Sequence, residues 1–312
     1  MEVERLYVVW DADGKPYVKG LRNLETETHR TGRTLESSFR AAGKAAGMAV
    51  AAGLVVGTAA IVGIGTASVK AAATFEYEMS RIKANASGTS QEMKALEDTV
   101  IQLGKATAFS AGEAAQAANE LVKAGLSVQE TRDALPGMLD LAAAGELNVA
   151  QAAEITANQL KVFNLEATDA VEVADTLALA ANRSTTEVTD LGMSLSMSAS
   201  IAAQAGLDIQ ETAAALALLA NNGLKGSDAG TSLKTMLMML MAPTEQAKAV
   251  MDEYGIEIYD AAGHMKSMDL IIEELEKALS GLTDEEANHV KRTIAGQDAI
   301  RAVNVLLKEG AD

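Results

Sequence analysis

From Phe75 onward apolar residues recur at three- and four-residue spacing, as in Leu135, Met138, Leu139 and Ala142, which places them on one face of an α-helix. The punctuation between these stretches is regular. Thr89-x-x-Glu92, Ser110-x-x-Glu113, Ser127-x-x-Glu130, Asn148-x-x-Gln151, Ser184-x-x-Glu187, Asp208-x-x-Glu211 and Thr283-x-x-Glu286 have the form of capping boxes. In such a box one side chain satisfies orphan amides at a helix start while the other reaches back to the cap. Gly125, Gly145, Gly206, Gly255, Gly281 and Gly296 fall where helices should stop, because glycine tolerates the left-handed conformation just past a helix end. The pattern predicts a globular all-α body over residues 75–312, with about ten helices of roughly 10–18 residues joined by short turns. One interruption, Ile256–Tyr259 followed by Asp260–Gly263 and His264–Lys266, reads as a small β-hairpin. Ala124–Thr131 (AGLSVQET) also matches Ala205–Thr212 (AGLDIQET). This is a helix-corner-helix read as a duplication, against the alternative that similar corners converge on similar residues.

Upstream the pattern differs. Residues 3–10 are rich in β-branched and aromatic types, Asp13-Gly14 supplies a turn, and Pro16–Val18 offers a return strand, so residues 1–20 are expected to form a small hairpin. Residues 21–74 read as a helical arm. Its first part holds Leu21, Leu24, Thr28, Thr31 and Leu35 at heptad spacing with half the seam polar, a weak coiled-coil signal. Its second part, Ala45–Val69, contains no charged residue and is long enough to be tested as a membrane span. Ala and Gly dilute its lipophilicity, which makes insertion marginal. Small residues recur four apart, at Gly43 and Gly47, Gly53 and Gly57, and Ala59 and Gly63, and would let a second helix approach closely. Two readings stay open: a self-associating helix buried within an assembly, which is favoured, or one that enters a membrane.

Charge divides at this run. Residues 1–70 carry 9 Lys/Arg and 7 Asp/Glu, whereas the remainder carries 17 and 36, within a chain of net charge −17. A strongly acidic body argues against sequence-specific nucleic-acid binding, which needs a positive footprint. The absence of cysteine excludes disulfides, thiolate metal sites and a cysteine nucleophile. Met1 opens on EVERLYVVW, which is no Sec-type signal. With 312 residues one or two domains with a real core are expected, and with aromatics at 3% that core must be Ala, Leu, Val and Met.

Little candidate chemistry remains. His29, His264 and His289 have no partners at ligand spacing, no G-x-S-x-G or H-E-x-x-H occurs, and no cofactor motif is complete. Gly223-Leu-Lys-Gly226-Ser-Asp-Ala-Gly230 lacks the G-K-[ST] ending of a phosphate loop and reads as a tight structural loop. Met236, Met238, Met239 and Met241 crowd one helix, as core filling or as an adaptable docking face. The chain reads as a structural or interaction protein and not an enzyme.

Leu216–Pro243 (LALLANNGLKGSDAGTSLKTMLMMLMAP) then resembles the signature segment of phage tail tape measure proteins: a helix, a Gly-rich turn, A-G-T-x-L, and a helix closed by Pro243. Ala108–Ala115 with Lys123–Leu126, Leu141–Gly145, Tyr254–Ile256 with Asp260–Gly263, and Thr293–Ala299 are similar to other parts of the same domain, with Ala295 where the family often has an aromatic. The resemblance covers about residues 75–308. It implies a largely helical virion protein that occupies the tail lumen, templates tube length and takes part in genome ejection. It implies as partners the tail tube protein, tail assembly chaperones, tail tip proteins, further copies of itself as a homo-oligomer, and the host inner membrane on ejection. It places the protein in the virion tail lumen, with the host cytoplasm during assembly and the host membrane during ejection as earlier and later locations. Fully helical, 312 residues would reach only about 470 Å. That is short for the family, so this is expected to be an N-terminal portion with the ruler downstream. Two other classes are a membrane-active or pore-forming protein built around residues 45–69 and a peptide-binding helical scaffold.

Overall fold

The computed structural model describes residues 9–10, 16–17 and 73–309. The chain divides into two units, residues 1–70 and 71–312. In the first, Val9–Trp10 (β1) and Pro16–Tyr17 (β2) pair antiparallel, with Val9 opposite Tyr17 and Trp10 opposite Pro16. The arm, the apolar run, and Gly43, Gly47, Gly53, Gly57 and Gly63 lie outside the described residues. Among the described residues no helix is long and apolar enough to cross a membrane.

The described residues of the second unit are mainly helical. A helix over the described residues 73–85 (α1) precedes α2 (Ser90–Ala106), α3 (Ala111–Lys123), α4 (Val128–Ala144), α5 (Val149–Val162), α6 (Ala170–Asn182) and α7 (Val188–Gln204). They are followed by α8 (Ile209–Asn221), α9 (Gly226–Met241), α10 (Glu245–Tyr254), α11 (Met268–Leu279) and α12 (Asp284–Glu309). A 3-10 turn at Ala167–Asp169 leads into α6. From α2 to α11 lengths run from 10 to 17 residues. The 26 residues of α12 are two helical pieces broken at Gly296, whose φ of 76° and ψ of 173° are not helical.

Five of the predicted capping boxes close reciprocally, at Thr89, Ser110, Ser127, Asp208 and Thr283. Asn148 also caps, its Oδ1 accepting from the amides of Ala150 and Gln151. The Ser184 box is a correction. Ser184 donates its hydroxyl to the Ala180 carbonyl and so belongs to the end of α6, while α7 starts three residues later, after Glu187, without a side-chain cap.

The corners show why Leu follows so many of them. After α3 the Leu126 amide bonds the Leu121 carbonyl and the Gly125 amide bonds Val122, the paired bonds of a Schellman turn. The same pair recurs after α7, with Leu207 to Ala202 and Gly206 to Ala203. Gly125 and Gly206 accordingly take φ of 103° and 87°. The long bond is also made by Leu147, Leu165 and Leu224 to Ala142, Leu160 and Leu219. With Ile256 to Met251 after α10, this bond closes six helix ends, and the Ala124–Thr131 and Ala205–Thr212 likeness is two instances of it. At Gly145 the expected left-handed residue is displaced by one: Gly145 has φ −94°, and Glu146 takes φ 51° instead. Gly145 is small for another reason, since a Cβ there would stand 2.8 Å from Val188 Cβ. The expected hairpin after α10 reduces to a single bridge, Tyr259 with Met265, flanked by Asp260 to His264 and Lys266 to Ile258 bonds.

Helices two apart in sequence pack on one another, α3 with α5, α4 with α6, α5 with α7, α6 with α8 and α7 with α9. This gives two alternating layers, as in repeat arrays where each unit buries its face against the next. The last helix, α12, closes the array against α8, α9 and α10. Among the described residues the buried apolar side chains are Ala, Leu, Val, Ile and Met, with no aromatic.

Acid should weaken this array through its caps. Hydrogen bonds from the Thr89 and Thr283 amides, and from the Ser127 hydroxyl, hold the Glu92, Glu286 and Glu130 carboxyls below their ordinary range. A depressed folded-state value contributes stability that is present above the unfolded value of about 4.3 and lost as pH falls through the folded one. Asp140 acts in the opposite sense: burial, then repulsion from Asp175, raises its value, so acid relieves it. Urea midpoints should hold from neutrality to about pH 5 and then fall. The triple variant Glu92→Gln, Glu130→Gln, Glu286→Gln should have a shallower acid limb, and parallel limbs would assign the acid response elsewhere.

Candidate functional site

The titratable groups of the body are dispersed, and among the described residues no cluster of His, Asp or Glu could hold a metal ion. What the fold concentrates is close contact between backbones. The resemblance-bearing segment Leu216–Pro243 spans the C-terminal part of α8, the following corner and all of α9, and its glycines have three separate jobs. Gly223 (φ 87°) ends α8 in the left-handed conformation. Gly226 (φ 56°) opens α9, and its carbonyl accepts from the buried Ser194 hydroxyl of α7 at 2.7 Å. Gly230 is the point of closest approach: a Cβ there would stand 2.2 Å from the Ser194 carbonyl oxygen and 2.9 Å from Met197 Cβ.

These contacts also fix direction. The position of a Gly226 Cβ is 3.4 Å from Met193 Sδ, and that of Gly230 faces Ser194 and Met197, so the register advances together and α7 and α9 run parallel. Pro243 follows the end of α9, where it cannot continue the helix, and Thr244 then caps α10 by accepting from the Ala247 amide. Of the four methionines of α9, Met236 is fully buried, Met239 and Met241 are half-buried, and Met238 is exposed. The helix thus divides them between core and surface.

A second crossing repeats the principle. On α4, a Cβ at Gly137 would meet the Ala170 carbonyl carbon at 2.3 Å and the Val171 amide nitrogen at 2.4 Å. Pro136 beside it lacks an amide, so one helical bond is missing where α6 comes in.

Sequence reasoning missed the polar ties around the α8–α9 corner. The Thr185 amide donates to Asn221 Oδ1 at 2.9 Å, the Thr185 hydroxyl donates to the Ala220 carbonyl at 2.9 Å, and Lys225 Nζ donates to the Thr185 carbonyl. Asn222 Nδ2 donates to Glu309 Oε1 at 3.0 Å and its Oδ1 accepts from Lys308 Nζ at 2.8 Å, tying the end of α12 to the same corner. The available signal was the Asn-Asn-Gly triplet: two amide side chains before a stop glycine are donors and acceptors placed where a second segment arrives. Ser194 left no signal, since the run SLSMSAS over 194–200 offers four serines of equal apparent merit.

Comparison with known proteins gives this geometry a context. Residues 97–296 match the family model described as phage-related minor tail protein. The chain is 39% identical over 255 residues to the tape measure protein of Pneumococcus phage Dp-1, a match that covers 82% of this chain. It belongs to the phage tail tape measure family. A second family relative, the probable tape measure protein of Escherichia phage P2, is 32% identical over 222 residues, or 70% of this chain. The probable tape measure protein of Halomonas phage phiHAP-1 is 25% identical over 171 residues, or 54% of it. The matches span 22%, 27% and 20% of those relatives' own lengths, so this chain corresponds to a fraction of each. No solved structure matches. The matched region includes both glycine crossings and every Schellman corner.

The crossing and the corner are separable by mutation. Gly230→Ala drives a methyl into a carbonyl that cannot move without parting two helices, an overpacking cost of about 3 kcal/mol. Gly125→Ala meets nothing within 4 Å and pays only for its left-handed backbone, about 1 kcal/mol. Urea denaturation of the two variants should rank them in that order, and equal costs would show that α7 and α9 tolerate separation.

Proposed function

We propose that this chain is the folded head module of a phage tail tape measure protein, acting in the tail lumen as part of the structure that sets tube length and is expelled with the genome. The observation that carries the reading is the identity to the Dp-1 tape measure protein over most of this chain. The physical character of the body agrees with it. Its 36 acidic against 17 basic residues after Lys70 repel a duplex, so a protein that shares a narrow tube with DNA would not adhere to it. The helices of α2 to α11 are at most 17 residues, about 26 Å each, and fold back on one another. A body of this kind docks and organises rather than measures, and the measuring length resides in the remaining four-fifths or so of the full relatives' sequence.

On this reading the partners are the tail tube protein, assembly chaperones, tail tip proteins and further copies of the chain. Residues 45–69, with their small-residue spacing, supply a helix that packs against neighbours in the lumen and meets the host inner membrane on ejection. No catalytic step is assigned. The test is an in-frame deletion of the codons for residues 75–308 from the phage gene, with mass spectrometry of purified tails from the parent. Peptides of this region should be present in parental tails, and the deletion should abolish tails of uniform length. Normal tails from the deletion phage, or absence of these peptides from virions, would overturn the proposal.

A further inference from the structure

The parallel pair α7 and α9 presents an outer face that no described element covers. Met193 and Met197, one turn apart on α7, are 53% and 41% exposed, and Met238 on α9 is 47% exposed. Large apolar side chains this open are few in the body, and three of them stand on this one helix pair. The 17 residues of α7 contain a single charge, Asp190 at its first turn, so Met193, Ser196, Met197, Ser200 and Gln204 form an uncharged stripe along it. Beside the stripe lies a groove of about 230 Å³ between α5 and α7, floored by Ile155 and Gly192 and edged by Met193 and Glu154.

Glycine sets the floor of this groove. A Cβ on Gly192 would stand 2.6 Å from Ile155 Cδ1, so the glycine lets Ile155 lie directly against the α7 backbone at the groove floor. Gln159, 2% exposed, also lines the groove, and its Oε1 accepts no hydrogen bond. A buried acceptor without a donor costs free energy until something supplies one.

The rim is acidic. Glu154, Glu187 and Asp228 are exposed around the face, and Asp190 Oδ1 lies 3.6 Å from the Gly226 Cβ position, next to Met193. Two lysines approach it: Lys225 is engaged with the Thr185 carbonyl, and Lys234 is half-buried on α9 between Gly230 and Met238. Methionine is unbranched and polarizable, and methionine-rich faces adapt to differing apolar side chains. An apolar stripe rimmed by carboxylates is complementary to a helix whose apolar face is flanked by cations. A second copy of this acidic body is disfavoured as occupant, since carboxylate rim would meet carboxylate rim.

We propose that the Met193–Met197–Met238 face and the Ile155–Gly192 groove dock a basic amphipathic helix of a partner protein. Its apolar residues at helical spacing cover the methionines, and its Lys or Arg residues meet Glu154, Asp190 and Asp228. The surface rests on the reading of the body as a docking module, but its test is separate from the tail assay. Absence from virions would remove the tail role and leave the docking face standing, whereas failure of docking would leave membership of the tail intact.

The experiment titrates the full chain into a fluorescently labelled peptide of about 18 residues built from Leu and Lys, with Leu at i, i+3, i+4 and i+7. The comparators are the same peptide with Glu for Lys and a scrambled Leu/Lys peptide of equal charge. Anisotropy at 0.15 M salt should show the amphipathic basic peptide binding at least tenfold more tightly than either. Met193→Glu with Met197→Glu should weaken it at least tenfold, and Leu270→Glu, at another exposed apolar position on α11, should leave it unchanged. If circular dichroism shows that the double glutamate variant has unfolded, Met193→Ser with Met197→Ser decides the matter in the same assay. Undiminished binding by the folded double variant, equal binding of the scrambled peptide, or no binding of the amphipathic one overturns the proposal.

Discussion

Two helices can approach only as closely as the atoms between them permit, and in this body the closest approaches are backbone against backbone. At Gly230 the α9 main chain faces the Ser194 carbonyl of α7, and at Gly137 the α4 main chain faces the first peptide of α6. The rest of the packing follows from that constraint. With aromatics at 3% and a buried set of Ala, Leu, Val, Ile and Met, the side chains are too small to fill wide gaps, so the helices must lie close for the interior to reach native density. Short helices then need corners that turn sharply and repeatably. The Leu or Ile after each Schellman turn meets that need, spending its amide on the preceding helix. Leu207 and Leu224 are buried as they do so.

How far this was legible in the sequence depends on the range of the interaction. Local chemistry could be read directly: Thr89, Ser110, Ser127, Asp208 and Thr283 close the boxes that their Glu partners announce, because both halves lie within one helical turn. Gly125, Gly206, Gly255 and Gly281 take positive φ as their positions imply. Reading failed where a residue answered to something distant. Gly145 looks like another stop signal, but it is small because Val188 arrives from α7, and Glu146 takes the left-handed conformation in its place. Ser184 has the spacing of a cap, but the segment after it is held by Asn221 and Ala220, over 30 residues away, so α7 begins later. The turn glycines of Gly223–Gly230 stood out as a group, yet their division into a stop, a hydrogen-bonded opening and a contact point needed the partner helix in view.

The same separation of ranges bears on function. The family signature in Leu216–Pro243 is a sequence record of one helix crossing, since the glycines that define it are those that let α9 reach α7. What this segment supplies is architecture, a close helix crossing, in a chain similar to relatives named tape measure proteins. The surface around that crossing has different chemistry from the rest of the acidic exterior: uncharged along α7, rich in exposed methionine, and edged by carboxylates. Close packing beneath and an open apolar face above arise from the same two helices.

Native-state hydrogen exchange of the full chain, resolved by residue, tests most directly whether the small-residue crossings hold the body together. Amides of α7 and α9 around Ser194 and Gly230, and of α4 and α6 around Gly137 and Val173, should exchange most slowly, at rates set by global unfolding. The amides of α11 and of the first turns of α12, away from both crossings, should open more readily. If exchange is slowest in α11 and α12 and the two crossings open at sub-global free energies, close backbone contact is not what the structure depends on.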